Sequence, residues 1–266
     1  MSLLALVAAL AVAVAPSAIA VSQGDIYRDQ LPPGAHDLSL DGKPVTISAD
    51  GHFLFGVGRD ALASARLRYT LADGTAASRT VTVAPRSWQI QSLPTLPARP
   101  VPDAEFEARR PAEIASIATA RAGISDATGW QQAFIRPAPG PITGVFGSQR
   151  ILAGTPAAPH SGTDFAAPAG TPVVAPAAGI VRLASGPFTL EGNLVMVDHG
   201  MGLVSAFLHL SRVDVKVGDA IEQGQILGAI GRTGRATGPH LHWGLTWTHN
   251  GNGVRVDPAR LLDALQ

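Results

Sequence analysis

The chain has 266 residues, and 46% of them are hydrophobic, which is enough for one or two packed cores and argues against a disordered chain. Lys and Arg number 20, as do Asp and Glu, so no global basic field is available to hold nucleic acid. Cysteine is absent, which excludes disulfides, thiolate zinc sites and cysteine nucleophiles. Any metal site must therefore use His, Asp and Glu.

The first twenty residues form an apolar segment typical of a secretory signal. An uncharged run at residues 3–15 is followed by Ala18-Ile19-Ala20, a small-residue pattern that favours cleavage after Ala20. We therefore expect residues 1–20 to be a signal peptide and the chain to be exported to the periplasm or cell envelope. No Lys or Arg precedes the run, and an uncleaved membrane anchor is the alternative.

Residues 21–95 alternate apolar and polar side chains in short runs separated by turn dipeptides such as Asp-Gly. The runs lie at residues 44–48, 52–56, 65–70 and 78–83. This pattern predicts a small antiparallel β-sandwich. We assign no chemistry to it, because His36 and His52 lack a second ligand-type residue at metal spacing.

Residues 96–129 are predicted to link this domain to a second β-rich part through one helix. Pro111 is a plausible first helical residue, because a proline there loses no helical hydrogen bond. Apolar residues follow at helical spacing as far as Ala122, and Gly123 is expected to end the helix. Residues 130–266 are again strand-like and hold six of the eight histidines.

Two histidine-containing segments of this C-terminal part carry the candidate chemistry. In a strand, His240 and His242 share one face, about 6–7 Å apart. His160 and Asp164 lie in a glycine-containing turn, where the chain can double back and bring both side chains together. Two imidazoles and one carboxylate suit Zn²⁺ with an open position for water. The spacing alone leaves a solvated surface as an equal alternative.

The order of motifs over residues 130–263 resembles the lysostaphin-type (LytM-like) zinc metallopeptidases, which cut peptidoglycan peptides. The similar segments include Gly144-Val-Phe-Gly147, His160-Ser-Gly-Thr-Asp-Phe165, His209-Leu-Ser211, Gly224-Gln-Ile-Leu-Gly228 and Gly238-Pro-His240-Leu-His242. The resemblance implies an all-β fold with a small N-terminal β-sandwich, a helical linker and a C-terminal antiparallel β metallopeptidase domain of the duplicated hybrid motif type. The N-terminal part, with Gln23-Gly-Asp25 at its start and Arg86-Ser-Trp-Gln-Ile90 at its end, is more loosely similar to the domain that precedes some of these peptidases.

By this resemblance, His160, Asp164 and His242 are the ligands of one Zn²⁺ per chain, and His209 and His240 are the catalytic pair. The implied function is hydrolysis of peptide bonds in peptidoglycan stem peptides or cross-links, with peptidoglycan peptides as the partner and no nucleic acid. A non-catalytic regulator of cell-wall hydrolases with the same fold is the alternative, although such relatives typically lose ligands. The sequence predicts neither a regulatory partner nor an oligomeric state.

Other polar residues of the C-terminal part receive structural assignments. We expect His199 to have a turn or packing role and His249 to lie in an exposed turn. The glycine-rich stretch 228–238 lacks the Gly-Lys-Ser/Thr ending of a phosphate-binding loop. It is predicted to form a tight loop that leads into the active-site strand, where Arg232 and Arg235 are candidates to meet a substrate carboxylate.

Residues 174–181 and 217–227 also resemble the half-motifs of lipoyl and biotinyl carrier domains, since both folds use short strands with glycine at tight corners. A carrier needs an exposed lysine at the hairpin tip between the two halves. Neither Lys43 nor Lys216 lies there. The sequence therefore disfavours a carrier.

Overall fold

The computed structural model describes residues 18–96, 101–249 and 251–262. Over these ranges the chain forms short β-strands and a single long α-helix, so the prediction of an all-β fold with one linking helix is confirmed. The apolar run at residues 3–15 lies outside the described residues. Within the described ranges, no helix combines the length and the apolar character needed to span a membrane. The boundaries proposed at residues 20, 95 and 129 stay predictions.

The N-terminal part contains eight strands. They are β1 (Ile19–Ser22), β2 (Ile26–Gln30), β3 (His36–Leu40), β4 (Lys43–Pro44), β5 (His52–Gly56), β6 (Ser64–Thr70), β7 (Ala76–Ala84) and β8 (Ile90–Leu93). Five of them form a sheet in the order β1-β7-β6-β3-β4, and β2 pairs with β5 in a second sheet. The expected antiparallel pairing fails at one edge, where β1 runs parallel to β7.

The apolar core continues from the N-terminal part into the C-terminal part. Phe53 and Phe55 of β5 are fully buried in one cluster with Val81 of the five-stranded sheet and Trp247 of the C-terminal part. A Cβ atom added at Gly56 would lie 3.0 Å from Cβ of Trp247. The backbone of β5 therefore approaches the C-terminal part too closely for a larger residue, and the two parts pack as one body.

The linking helix α1 (Asp103–Ala122) begins at Asp103, so the predicted start at Pro111 is wrong. The predicted end is confirmed, because Gly123 is extended, with φ −74° and ψ 121°. A proline inside a helix removes one backbone hydrogen bond and costs about 3 kcal/mol. Contacts on either side of Pro111 offset this cost: Arg110 donates to both carboxylate oxygens of Glu191, and Glu113 accepts from the backbone and side chain of Thr189.

The C-terminal part contains twelve strands and two 3₁₀ turns. The strands are β9 (Ile142–Gly144), β10 (Gln149–Leu152), β11 (Thr155–Pro156), β12 (Gly162–Phe165), β13 (Pro172–Val174), β14 (Gly179–Phe188), β15 (Gly192–Asp198), β16 (Leu203–Val213), β17 (Ala220–Ile221), β18 (Ile226–Ile230), β19 (Leu241–His249) and β20 (Asn252–Val256). The turns span Gly129–Gln131 and Pro258–Leu261. The main sheet follows the path β17-β14-β15-β16-β19-β12-β9, and β20 pairs with the free side of β19.

Strand β19 has one apolar face and one face available for chemistry. Leu241 and Trp243 are fully buried in the core, as expected for alternate positions of a strand. His242, Gly244 and Thr246 therefore lie on the opposite face. The helix α1 packs on that same face of the sheet further along, where Ile117 joins an apolar cluster of β14, β15 and β16.

The two motifs at the ends of the N-terminal part meet at its junction with the C-terminal part. Arg86 donates to the backbone oxygen of Gln23 at 3.2 Å and to the buried carboxylate of Asp257 at 2.9 Å. Its guanidinium lies 4.7 Å from the centre of the Trp88 ring. A Cβ atom at Gly147, where φ is +81°, would collide with that ring. The Trp88 ring thus packs directly on the segment between β9 and β10.

The position of β1 makes the start of the mature chain a test of the fold. Cleavage after Ala20 would remove Ile19, which is 2% exposed and pairs opposite Val81. We expect a chain that starts at Val21 to be less stable than one that starts at Ala18 by about 1.5–3 kcal/mol, because one buried isoleucine is lost. Denaturant unfolding measures the difference. Ala20→Ser in the longer chain is the control, since Ala20 is exposed. Equal midpoints for the two chains would show that β1 contributes nothing.

Candidate active site

Three ligand-type atoms converge where β12 and β19 pair. The antiparallel register sets Asp164 directly opposite His242, so both side chains project from one face. His160, just before β12, reaches the same point. Its Nε2 atom lies 3.0 Å from Asp164 Oδ1 and 3.0 Å from His242 Nδ1. The third side of the triangle, from His242 Nδ1 to Asp164 Oδ1, measures 2.8 Å.

Burial and hydrogen bonding prepare these atoms to donate lone pairs. His160 Nδ1 donates to the backbone oxygen of Val145 at 3.0 Å, which leaves its Nε2 unprotonated in the neutral ring. Burial lowers the pKa of His242 to about 4, so this ring is also neutral at neutral pH. Burial alone would raise the pKa of Asp164, but hydrogen bonds with His160 and His242 hold it well below its usual value. The cluster therefore combines neutral imidazole with a carboxylate anion.

This donor set fits a divalent cation such as Zn²⁺. Nitrogen and oxygen ligands about 2.0–2.2 Å from a tetrahedral zinc are about 3.3 Å apart, so a small outward shift from the observed triangle suffices. Two glycines leave the space around it. A Cβ atom at Gly144 would collide with Asp164 Oδ2, and one at Gly162 would lie 2.8 Å from His242 Nε2. Backbone without side chains therefore surrounds the cluster on two sides.

The other two predicted site residues, His209 and His240, lie beside the cluster. Their ring centres are 4.8 Å apart, and His240 Nε2 is 4.0 Å from Asp164 Oδ1. His209 Nδ1 donates to the backbone oxygen of Thr233 at 2.8 Å, and His240 Nδ1 donates to that of Gly238 at 2.9 Å. Each ring is thereby fixed with Nδ1 committed to the backbone and Nε2 left for chemistry.

An unusual backbone conformation brings His209 to the site. Simple alternation along β16 would place His209 on the core face with Phe207. Its φ of +65° lies in the left-handed region instead, and the pairing of β16 with β15 is irregular nearby. Such a conformation costs about 1–3 kcal/mol and typically occurs where a site requires it. Burial lowers the pKa of His209 to about 3, and the nearby rings of His240 and His242 add to this effect.

Motif reasoning missed a second layer behind Asp164. Arg150 Nη2 lies 3.6 Å from Asp164 Oδ2, and its Nε donates to Gln91 Oε1 at 3.2 Å. Gln91 belongs to β8, which pairs in parallel with β10, the strand of Arg150. The N-terminal part thus contacts a residue that touches a candidate ligand. No sequence motif links these positions, because they are adjacent only through the pairing of β8 with β10.

The remaining histidines of the C-terminal part are not in the cluster. His199 is fully buried; its Nδ1 donates to the backbone oxygen of Ala178 at 2.7 Å, and its Nε2 accepts from Ser205 Oγ at 2.8 Å. This geometry agrees with the expected packing role. His249 is not in an exposed turn as predicted. It is the half-buried last residue of β19, and its ring stacks on Trp247 with centres 4.8 Å apart.

Comparison with known proteins bears on this site. The model of peptidase family M23 matches residues 158–258, which contain all five predicted site residues. A crystal structure from Pseudomonas aeruginosa, assigned to peptidase M23, is 32% identical with a TM-score of 0.69. The similarity covers 91% of this chain and 95% of that chain. The chain belongs to peptidase family M23.

Curated relatives match the M23 domain alone. Peptidoglycan DD-endopeptidase ShyA of Vibrio cholerae is 47% identical over 89 residues, which are 33% of this chain and 20% of the relative. The DD-carboxypeptidase/endopeptidase Mpg of Neisseria meningitidis serogroup B is 43% identical over 84 residues, 32% of this chain and 19% of the relative. The chain therefore spans about a fifth of the length of each of these two proteins.

The glycine beside Asp164 provides a test of the M23 metal centre. We expect Gly144→Ala to lower zinc affinity at least tenfold, because the added Cβ must displace the Asp164 carboxylate. Competition with a zinc chelator measures the affinity. Gly58→Ala is the matched control, since its Cβ would make an ordinary 3.4 Å contact with Val254. Equal zinc affinity in the two variants would show that Asp164 is not held as a ligand.

Proposed function

We propose that this M23 peptidase is a zinc-dependent endopeptidase that hydrolyses peptide bonds in the stem peptides or cross-links of peptidoglycan. One observation carries the proposal: His160 Nε2, Asp164 Oδ1 and His242 Nδ1 converge within 3.0 Å of one another beside two further imidazoles. This is a metal-ligand set with an adjacent proton acceptor, as metal-assisted hydrolysis requires. The names of ShyA and Mpg support peptidoglycan as the substrate.

His160, Asp164 and His242 would hold one Zn²⁺ per chain. When bound there, zinc would lower the pKa of a coordinated water and polarise the carbonyl of the scissile bond. The ligands are between 1% and 7% exposed, so the surrounding protein excludes bulk water and strengthens electrostatic interactions at the site.

The imidazoles of His240 and His209 supply the proton transfers. Because each Nδ1 hydrogen is committed to a backbone carbonyl, each Nε2 has a lone pair that can accept a proton. His240 Nε2 lies 4.0 Å from Asp164 Oδ1, and we assign His240 as the base. It takes a proton from water as the water oxygen bonds to the carbonyl carbon. It then returns that proton to the amine nitrogen as the C–N bond breaks, while His209 orients the reacting groups.

No observation favours the alternative of a non-catalytic regulator. A regulator needs the fold and its surface but not a complete ligand set. Here His160, Asp164 and His242 are all present and converge, and His209 and His240 adopt matching orientations next to them. The costly backbone conformation of His209 would serve no purpose in a silent scaffold.

Substitution of the two histidines of the H-x-H segment separates ligand from base. We expect His242→Ala to lose both bound zinc and hydrolysis, because one of three ligands is removed. His240→Ala should keep about one zinc per chain but hydrolyse at least about 100-fold more slowly, because the base is removed. Elemental analysis gives the zinc content, and chromatography of digested muropeptides gives the rate.

The exposed His36 offers a matched control, since it lies in the N-terminal sheet. His36→Ala should retain zinc and full activity. A full zinc equivalent with normal activity in His242→Ala would refute the ligand assignment, and a normal rate in His240→Ala would refute its role as base. Digestion of defined muropeptides by the unaltered protein distinguishes D,D cross-links from glycine bridges as the bond that is cut.

We also propose that the chain is exported to the periplasm or cell envelope. The apolar run at residues 3–15 and the small residues that follow it support this, as does a substrate that lies outside the cytoplasm. Residues 1–30 fused to a reporter that is active only after export should produce activity, and deletion of residues 3–15 should abolish it. The mass of the recovered protein then shows whether the segment is cleaved or kept as an anchor. An inactive fusion would contradict export.

A further inference from the structure

Two cavities open onto the candidate metal ligands. The larger, of about 680 Å³, lies between the five-stranded N-terminal sheet and the M23 domain and reaches His160. The smaller, of about 70 Å³, lies between α1 and the main sheet and reaches His242. Both are lined by Ser161 and by Arg255. Arg255 therefore lies where the two cavities meet, beside the metal centre.

A second arginine reaches the smaller cavity from the linking helix. Arg121, in the last turn of α1, lines it together with His242 and Arg255. The Cδ atom of Arg121 would lie 3.3 Å from a Cβ added at Gly253, two positions before Arg255 on β20. In the register of β19 with β20, Arg255 lies opposite Thr246, on the face that carries His242. Two guanidinium groups from separate elements thus share one cavity with a candidate ligand.

Neither arginine is neutralised by the described part of the chain. Neither has a carboxylate at ion-pair distance there, and Nε of Arg121 is buried without a hydrogen-bond partner. The carboxylate of Glu191, which lines the same cavity, is held by Arg110 at 2.7 and 2.8 Å. Burial lowers the pKa of Arg121, and repulsion from Arg255 lowers it further. Adjacent cations in this position are unfavourable unless an anion joins them.

We propose that Arg121 and Arg255 form a subsite that binds a carboxylate of the peptide substrate next to the metal centre. The proposal rests on the proposed function, since it concerns the same groove. Guanidinium groups bind carboxylates through paired, charge-assisted hydrogen bonds, and a carboxamide cannot replace that interaction. Arg232 and Arg235, the candidates from sequence, line neither cavity.

The position of the subsite gives it a role in placing the substrate. Thr246, opposite Arg255, lies four residues after His242 on β19, or about 13 Å along the strand. An extended peptide advances about 3.3 Å per residue, so a carboxylate held there lies within a few residues of the bond over the metal. Binding of the carboxylate would therefore select which peptide bond is cut. Since Arg121 belongs to α1, the linking helix takes part in that selection.

The test exchanges charge on both sides of the proposed contact. Two cross-linked muropeptide dimers are compared, one with free carboxylates and one with the same groups converted to carboxamides. For the unaltered protein we expect amidation to lower kcat/KM about 10- to 100-fold. In Arg255→Gln and Arg121→Gln, kcat/KM for the free acid should fall by a similar factor, and amidation should then have little further effect. Zinc content should remain at one per chain.

Arg68→Gln is the matched control, because Arg68 is exposed on β6 and lines neither cavity. It should discriminate between the dimers as the unaltered protein does. An undiminished preference for the free acid in both cavity variants, or no preference in the unaltered protein, would overturn the subsite. Failure of the unaltered protein to cut either dimer would instead overturn the proposed function. Calorimetric binding of the two dimers to zinc-loaded protein and to Arg255→Gln then still decides the subsite: binding that requires both the carboxylate and Arg255 supports it, and equal binding refutes it.

Discussion

The convergence of three acceptor atoms within 3.0 Å is the constraint on which the rest of this structure depends. It requires Asp164 and His242 to face each other across β12 and β19, and a slip of one residue would turn His242 into the core. The apolar face prevents that slip, because Leu241 and Trp243 are fully buried on either side of His242. Core packing therefore sets the geometry of the metal centre, and the hydrophobic effect supplies the free energy that holds mutually repelling lone pairs together.

The N-terminal part and α1 act as walls of the M23 domain. Pairing of β8 with β10 brings Gln91 to Arg150, which in turn lies beside Asp164. On the other side, the bidentate contact of Arg110 with Glu191 holds α1 across the main sheet. The core is also continuous through both parts. The metal centre is thus enclosed by three segments far apart in sequence, which explains why its ligands are so little exposed.

Sequence reasoning reaches the features that local pattern or motif order encodes. Alternation predicted that His240 and His242 share a strand face, and the resemblance predicted the ligand set that the structure brings together. Features that depend on tertiary contacts escaped it. Alternation also misplaces His209, whose left-handed backbone rotates its ring to the site. The helix start was missed because the ion pair of Arg110 with Glu191 offsets the effect of Pro111, and no local signal reports such a contact.

The balance of charge in the composition conceals a local separation of charge. The chain is neutral overall, yet Arg121, Arg150 and Arg255 surround a centre whose nearest carboxylate, Asp164, is itself a candidate ligand. Fields from such groups extend only about 8–10 Å in physiological salt. They therefore act within the groove and not on distant substrate, so that charge sets the position of a peptide that has already entered. A neutral chain with a cationic groove gains selectivity at the scissile bond without general adhesion to polyanions.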